Sequence, residues 1–218
     1  MLASRPRGHW RRLLAPTFHI GWLMDRIRKT LPELAVESLM IVVSVLLALA
    51  ANSWADARKE HKLVVQARAS FVAEVQANRT RVVDALPYHR ALTEAVLRID
   101  SMGGVTSYAA WRRRVPIWSG FAPPDIEATA WQSALATGAL SRLPYTEVSS
   151  LSGVYTLQGR LDAYNAASLP LFDFSDIAMM GTVRRMHAYM QTVVSYETAL
   201  LREYDTTLVR LGGVTTAH

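Results

Sequence analysis

The side chains best suited to acid–base or metal chemistry are the six histidines, His9, His19, His61, His89, His187 and His218. They are scattered, and no two fall at the roughly three- to five-residue spacing that places imidazoles on one metal ion. The chain has no cysteine, which removes disulfides, thiolate metal sites and cysteine nucleophiles together. Asp173 and Asp176 stand three apart near an expected helix start. Acidic residues there favour the helix dipole, and that reading outweighs a catalytic carboxylate pair. Neither a phosphate-binding glycine loop, a nucleophile elbow, an HExxH helix nor a dinucleotide fingerprint occurs. The sequence therefore offers no constellation for catalysis, and a non-enzymatic protein without cofactor or metal is expected.

The elements that would carry any other activity begin with a membrane span. From Ser38 to Ala55 the chain reads SLMIVVSVLLALAANSWA without a charge, and Leu34, Ala35 and Val36 extend it upstream. A hydrocarbon core of about 30 Å requires about 20 helical residues. Trp54, beside Asn52 and Ser53, fits an interfacial end where an amphipathic ring meets the headgroups. Half of all residues are hydrophobic and only 19% charged, consistent with membrane contact. A cleaved signal sequence would have a shorter apolar run nearer the N-terminus, and an interfacial helix would need a polar face. Glu37 sits at the edge of the run, one turn after Glu33. An interfacial carboxylate or a helix partner is the plainer reading, and an ion path the sharper one. The run contains no histidine that could ligate a haem iron or a chlorophyll magnesium.

The net charge of +6 is unevenly placed: residues 1–35 carry seven basic and two acidic side chains, whereas residues 56–218 carry 17 and 15. Residues 1–30 mix Trp10, Arg11, Arg12, Trp22 and Arg26 with leucines, the composition of a basic amphipathic tail on an anionic membrane surface. Thr30-Leu31-Pro32-Glu33 matches a capping box and predicts a helix from about Leu31 into the span, residues 31–55. The basic tail favours a cytoplasmic N-terminus and a periplasmic main domain, although Arg58, Lys59, Lys62 and Arg68 weaken the bias.

Residues 56–218 read as a helical domain, so the expected architecture is all-α: one transmembrane helix continuing into an antiparallel helical bundle. Val64, Ala67, Phe71, Val75, Asn78, Val82 and Leu86 keep a helical rhythm, with a kink or break expected at Pro87. Gly103-Gly104 should stop it. Asp125 can cap a helix to about Gly138, a further helix should run from Pro144 to about Ala167, and the last should start at Ser168 or Pro170 and end at Gly212-Gly213. Its methionines are expected in the core, and the long helix is expected to pack against this last one. Residues 103–124 look irregular and hold Arg112, Arg113 and Arg114 between Trp111 and Trp118. This is either a docking site for lipid headgroups or an acidic partner, or a solvated loop anchored by tryptophan packing. The near-neutral domain argues against nucleic acid.

Two stretches resemble an uncharacterised family of bacterial single-span membrane proteins. One is Glu37 with Ile41-Val42-Val43, Leu47-Ala48-Leu49 and Asn52-Ser53-Trp54. The other is Thr129-Ala130-Trp131-Gln132-Ser133-Ala134-Leu135-Ala136-Thr137-Gly138-Ala139-Leu140, followed by Leu151 and Tyr155. Ser44, where the family usually has glycine, and the long basic tail depart from the pattern. The resemblance implies the same architecture and brings no activity. The expected role is that of an accessory subunit stabilising a larger bacterial membrane complex, a photosynthetic reaction centre with its antenna or a respiratory assembly. The alternative is a membrane-tethered sensor or ligand-binding module. Membrane lipids and other membrane subunits are the expected partners. The aromatic and arginine residues of the tail, Trp54, and the Trp111–Trp118 segment are the expected contacts.

Overall fold

A computed structural model describes residues 20–176 and 178–212. Five α-helices make up the fold, with no strand among the described residues: α1 (Ile20–Ser101), α2 (Tyr108–Arg114), α3 (Thr129–Thr137), α4 (Tyr145–Ser168) and α5 (Met179–Arg210). Single 3₁₀ segments follow α3 and α4, at Ala139–Arg142 and Leu169–Leu171. The all-α class expected from the sequence is the one observed. The chain divides into two compact units between Ala57 and Arg58.

In the first unit, every side chain from Leu34 to Trp54 is exposed. Among the described residues, none packs against this apolar stretch, and α1 is the one helix among them long and apolar enough to cross a membrane. Its polar groups are handled within the helix. The Ser44 hydroxyl donates back to the Met40 carbonyl at 2.7 Å, and the Asn52 amide donates to Asp56 at 3.2 Å. The capping-box expectation at Leu31 does not hold, since α1 is already helical at Ile20 and passes through Pro32. A proline removes one hydrogen bond from the ladder, and an 82-residue helix has many others on either side.

The second unit is a three-helix bundle closed by the two short helices. Arg79 bonds Asp205 and His89 bonds Glu197, so α1 and α5 run antiparallel. Gln158 bonds Tyr204 and Asn165 bonds Tyr189, which sets α4 antiparallel to α5 as well. Arg68–Glu147 and Glu74–Tyr155 then place α1 and α4 parallel. The expected pairing of the long helix with the last one is thus present. From α1 the core takes Phe71, Val75, Val82, Leu92, Val96 and Ile99, and from α5 it takes Met179, Met186, Met190, Val193, Leu200 and Leu208. These methionines are core residues, as their helical spacing predicted.

Helix ends show where local sequence rules were overridden. Pro87 does not interrupt α1: its ring faces solvent, while Leu86 and His89 on either side are buried. Gly103 and Gly104 do stop the helix, both with positive φ, and the Gly104 N–H donates to the Ile99 carbonyl at 2.8 Å. α3 begins at Thr129, four residues after the expected cap Asp125, and has no local side-chain cap. Its N-terminus is capped from another helix: Glu74 of α1 accepts the Ala130 N–H at 2.7 Å. α5 starts at Met179, later than Ser168 or Pro170, after the 3₁₀ turn and an irregular stretch.

Candidate functional site

The segment between α2 and α3 is held to α1 by several polar side chains. Residues 118–128 have no regular structure. The buried Asn78 side chain clamps Glu127 from both sides, donating to its carbonyl at 2.7 Å and accepting its N–H at 3.0 Å. Arg81 pairs with the Glu127 carboxylate at 2.5 Å. One helical face further on, the Tyr88 hydroxyl donates to the Gly120 carbonyl at 2.6 Å and accepts the Ser119 N–H at 3.1 Å. Ala122 in this strap has φ +45°, a left-handed conformation that side chains with a Cβ disfavour. The clamp holds it there against that preference.

His89 is the centre of the strap's anchorage. Its Nδ1 lies 2.7 Å from Glu197 Oε1 and its Nε2 lies 2.8 Å from the Phe121 carbonyl oxygen. Both residues are fully buried. Both ring nitrogens face oxygen atoms, and an imidazolium beside a carboxylate satisfies both with donated hydrogen bonds. Burial lowers the His89 pKa most strongly of the separate influences. The hydrogen bond and charge of Glu197 and the carbonyls of Phe121 and Ala122 outweigh it, and the net shift is upward. Glu197 Oε2 is buried with no hydrogen-bond partner. Around the pair stands a ring cluster: Phe121 lies 5.0 Å from Tyr189 and 4.6 Å from Phe172, between ring centres. A low-dielectric surround of this kind strengthens the ion pair and makes the loss of either partner costly.

The same close fit occurs at Glu74. Besides capping α3, its second oxygen accepts the Tyr155 hydroxyl at 2.6 Å. Burial, then that carboxylate, pushes the Tyr155 pKa well above its ordinary value, so the hydroxyl stays a donor at every physiological pH.

The tryptophan and arginine segment splits into two roles. Tyr108–Arg114 is helical, not irregular, and Ser107 caps it by accepting the Ala110 N–H. Trp111 is fully buried and Trp118 nearly so, packed edge to face 5.8 Å apart. Contact with a partner or lipid, expected for both rings, is therefore replaced by core anchorage, because large apolar rings at the end of α1 close the bundle over Ile99, Val105 and Val115. Arg112, Arg113 and Arg114 remain exposed. Arg112 donates to the Trp118 carbonyl, and Arg114 reaches the Gly104 carbonyl at 3.4 Å. Trp54 is 65% exposed near the end of the apolar stretch of α1. Trp10, Arg11 and Arg12 lie outside the described residues, while Trp22 and Arg26 occupy positions in the early turns of α1.

One open depression of about 410 Å³ is lined by Val65, Arg68, Ala69, Val72, Ala73, Gln76 and Leu211. Its polar members are already engaged: Arg68 with Glu147 and Gln76 elsewhere. Convergent unpaired polar groups, the mark of a specific ligand site, do not line it. Among the described residues no three His, Asp or Glu side chains gather to hold a metal ion.

Sequence reasoning missed His89–Glu197, Glu74 and the Asn78 clamp. A signal existed for the first: His89 falls between Leu86 and Leu92 on the buried stripe of α1, and Glu197 between Val193 and Leu200 on that of α5. An ionisable residue on each of two facing apolar stripes predicts a pair. Comparison with known proteins adds no relative: no family model, curated protein or solved structure matches the chain.

Proposed function

We propose that this is a single-pass protein of the bacterial inner membrane whose helical domain serves as a non-catalytic accessory part of a larger membrane assembly. The observation that carries the reading is the union of an all-round apolar, exposed helix with a bundle in which buried Asn78 and His89 hold its own strap. Asn78, His89 and Glu74 are occupied by backbone, carboxylate and hydroxyl partners within the chain. What remains available for work is surface. Membrane lipids and other membrane subunits are the fitting partners, with photosynthetic and respiratory assemblies as the host class. The basic N-terminal tail supports a cytoplasmic N-terminus and a periplasmic bundle.

The test is purification of the tagged full-length chain from native membranes in a mild detergent, followed by native mass measurement. Co-isolation with other membrane proteins in fixed ratio is expected. A free monomer at every detergent strength would refute the accessory role. A reporter active only in the periplasm, fused after His218, checks the orientation: it should be active, and an inactive but intact fusion reverses the topology.

A further inference from the structure

We propose that the α2 end of the helical domain docks an acidic segment of a partner protein, recognised by Arg112, Arg113 and Arg114. This rests on the accessory reading and names the class of partner for one surface of it. The three arginines fill the last turn of a short helix whose inner face is fixed by the fully buried Trp111. That anchorage holds them on a firm platform, so little ordering of the protein is required when a partner arrives. Arg112 and Arg114 each use one nitrogen on a backbone carbonyl, Trp118 and Gly104 respectively. A guanidinium has five N–H donors, so most of the donor capacity of the cluster stays open.

Unlike the four arginines of the bundle that are paired with carboxylates, the cluster sets three unneutralised guanidinium groups side by side in one turn. Arg68, Arg79, Arg81 and Arg142 are each within 4.0 Å of a carboxylate: Glu147, Asp205, Glu127 and Glu60. Among the described residues no such pair forms at Arg112, Arg113 or Arg114. The carboxylates at this end are engaged otherwise: Asp176 accepts the Tyr108 N–H at 2.9 Å, and Asp173 the Ser175 N–H at 2.9 Å. Three adjacent guanidinium groups left without carboxylates on a rigid support favour an anionic occupant, and bidentate forks match carboxylates closely. Exposed Tyr108, one helical turn before Arg112, and Ile117, just beyond Arg114, add apolar contact that a peptide chain can use.

Protein carboxylates are favoured over lipid headgroups by the planar fork that a guanidinium offers a carboxylate and by the exposed Tyr108 and Ile117 beside the cluster, which suit the side chains of a peptide.

The full-length chain in nanodiscs of zwitterionic lipid would be titrated with a fluorescent synthetic peptide of alternating Glu and Leu, net charge about −6, and separately with phosphatidylglycerol vesicles. Arg113→Glu/Arg114→Glu is the test variant, sparing Arg112 because it holds the Trp118 carbonyl. Arg160→Glu/Arg202→Glu, on exposed positions of α4 and α5, is the charge-matched control. Thermal melts of all three should coincide; if the test variant melts early, Arg113→Gln/Arg114→Gln replaces it. Peptide affinity should fall about tenfold in the test variant, stay near the parent value in the control, and weaken with added salt. Equal losses in both variants, or no peptide binding by the parent, overturn the proposal. So does vesicle binding that the test variant loses while peptide binding is unchanged, which would make the cluster a lipid site. Failure here with co-isolation of membrane subunits intact removes only this docking surface; failure of both removes the accessory reading too.

Discussion

Replacing His89 by alanine removes the hydrogen-bond partner of Glu197 Oε1 among the described residues and the donor to the Phe121 carbonyl in one step. Glu197 is left fully buried, with Oε2 already unpartnered. Breaking a buried ion pair from one side costs about 3–5 kcal/mol, because the remaining charge is stranded in a low-dielectric site. The stranded carbonyl adds to that, and the total is a large part of a typical stability of about 5–15 kcal/mol. Glu197→Gln is the informative contrast. A neutral His89 keeps its Nε2–H on Phe121 and accepts the Gln amide at Nδ1, so both bonds survive without charge, and the cost should stay below about 1.5 kcal/mol. The assay is urea unfolding of the full-length chain in detergent, followed by helical circular dichroism. Equal costs for the two variants, or a His89→Ala cost below about 1 kcal/mol, would refute the ion-pair account. The pair also sets a pH dependence. The folded His89 pKa is raised above its unfolded value of about 6.5, so the imidazolium's contribution is fully present below that value and is lost as pH rises through the folded pKa. The parent should therefore lose stability as pH rises above about 6.5 and through the folded pKa, and Glu197→Gln should flatten that slope.

Three further outcomes are expected. Glu74→Ala removes both the interhelical cap of α3 and the Tyr155 hydroxyl's partner, and should cost about 2–3 kcal/mol by the same unfolding measurement, with Glu74→Gln falling in between. Ala122→Gly relieves the left-handed strain in the strap and should stabilise the chain by up to about 1 kcal/mol; a loss of stability would show that the φ of +45° is not strained. Trp111→Ala should cost about 3–5 kcal/mol, whereas Arg112→Ala/Arg113→Ala/Arg114→Ala should leave the melting temperature within a few degrees of the parent, the main loss being the bond to the Trp118 carbonyl. If the triple variant were as unstable as Trp111→Ala, the arginines would belong to the fold and not to a surface.

Some of this protein is written locally in its residues and some is not. The long apolar helix is local, because an uncharged run of apolar side chains makes a helix long and apolar enough to cross a membrane without reference to anything else. The long helical stripes are local too: Phe71 to Ile99 and Met179 to Leu208 are buried at the spacing their sequence repeats, and Gly103-Gly104 and Gly138 end helices through backbone freedom that only glycine supplies at low cost. Helix starts were the weak point, since a cap is a single hydrogen bond that any nearby carboxylate can make. Glu74 makes it for α3 from 56 residues away, so Asp125 was not needed. Tryptophans beside arginines read equally well as a contact surface or an anchored turn, and only the packing of Trp111 and Trp118 against the end of α1 separated the rings from the charges. The strap and its buried His89–Glu197 pair were decided by tertiary structure alone. Residues 108 positions apart meet because α1 and α5 run antiparallel, and a histidine on an apolar stripe becomes an imidazolium only when a carboxylate and a carbonyl arrive on both sides of its ring.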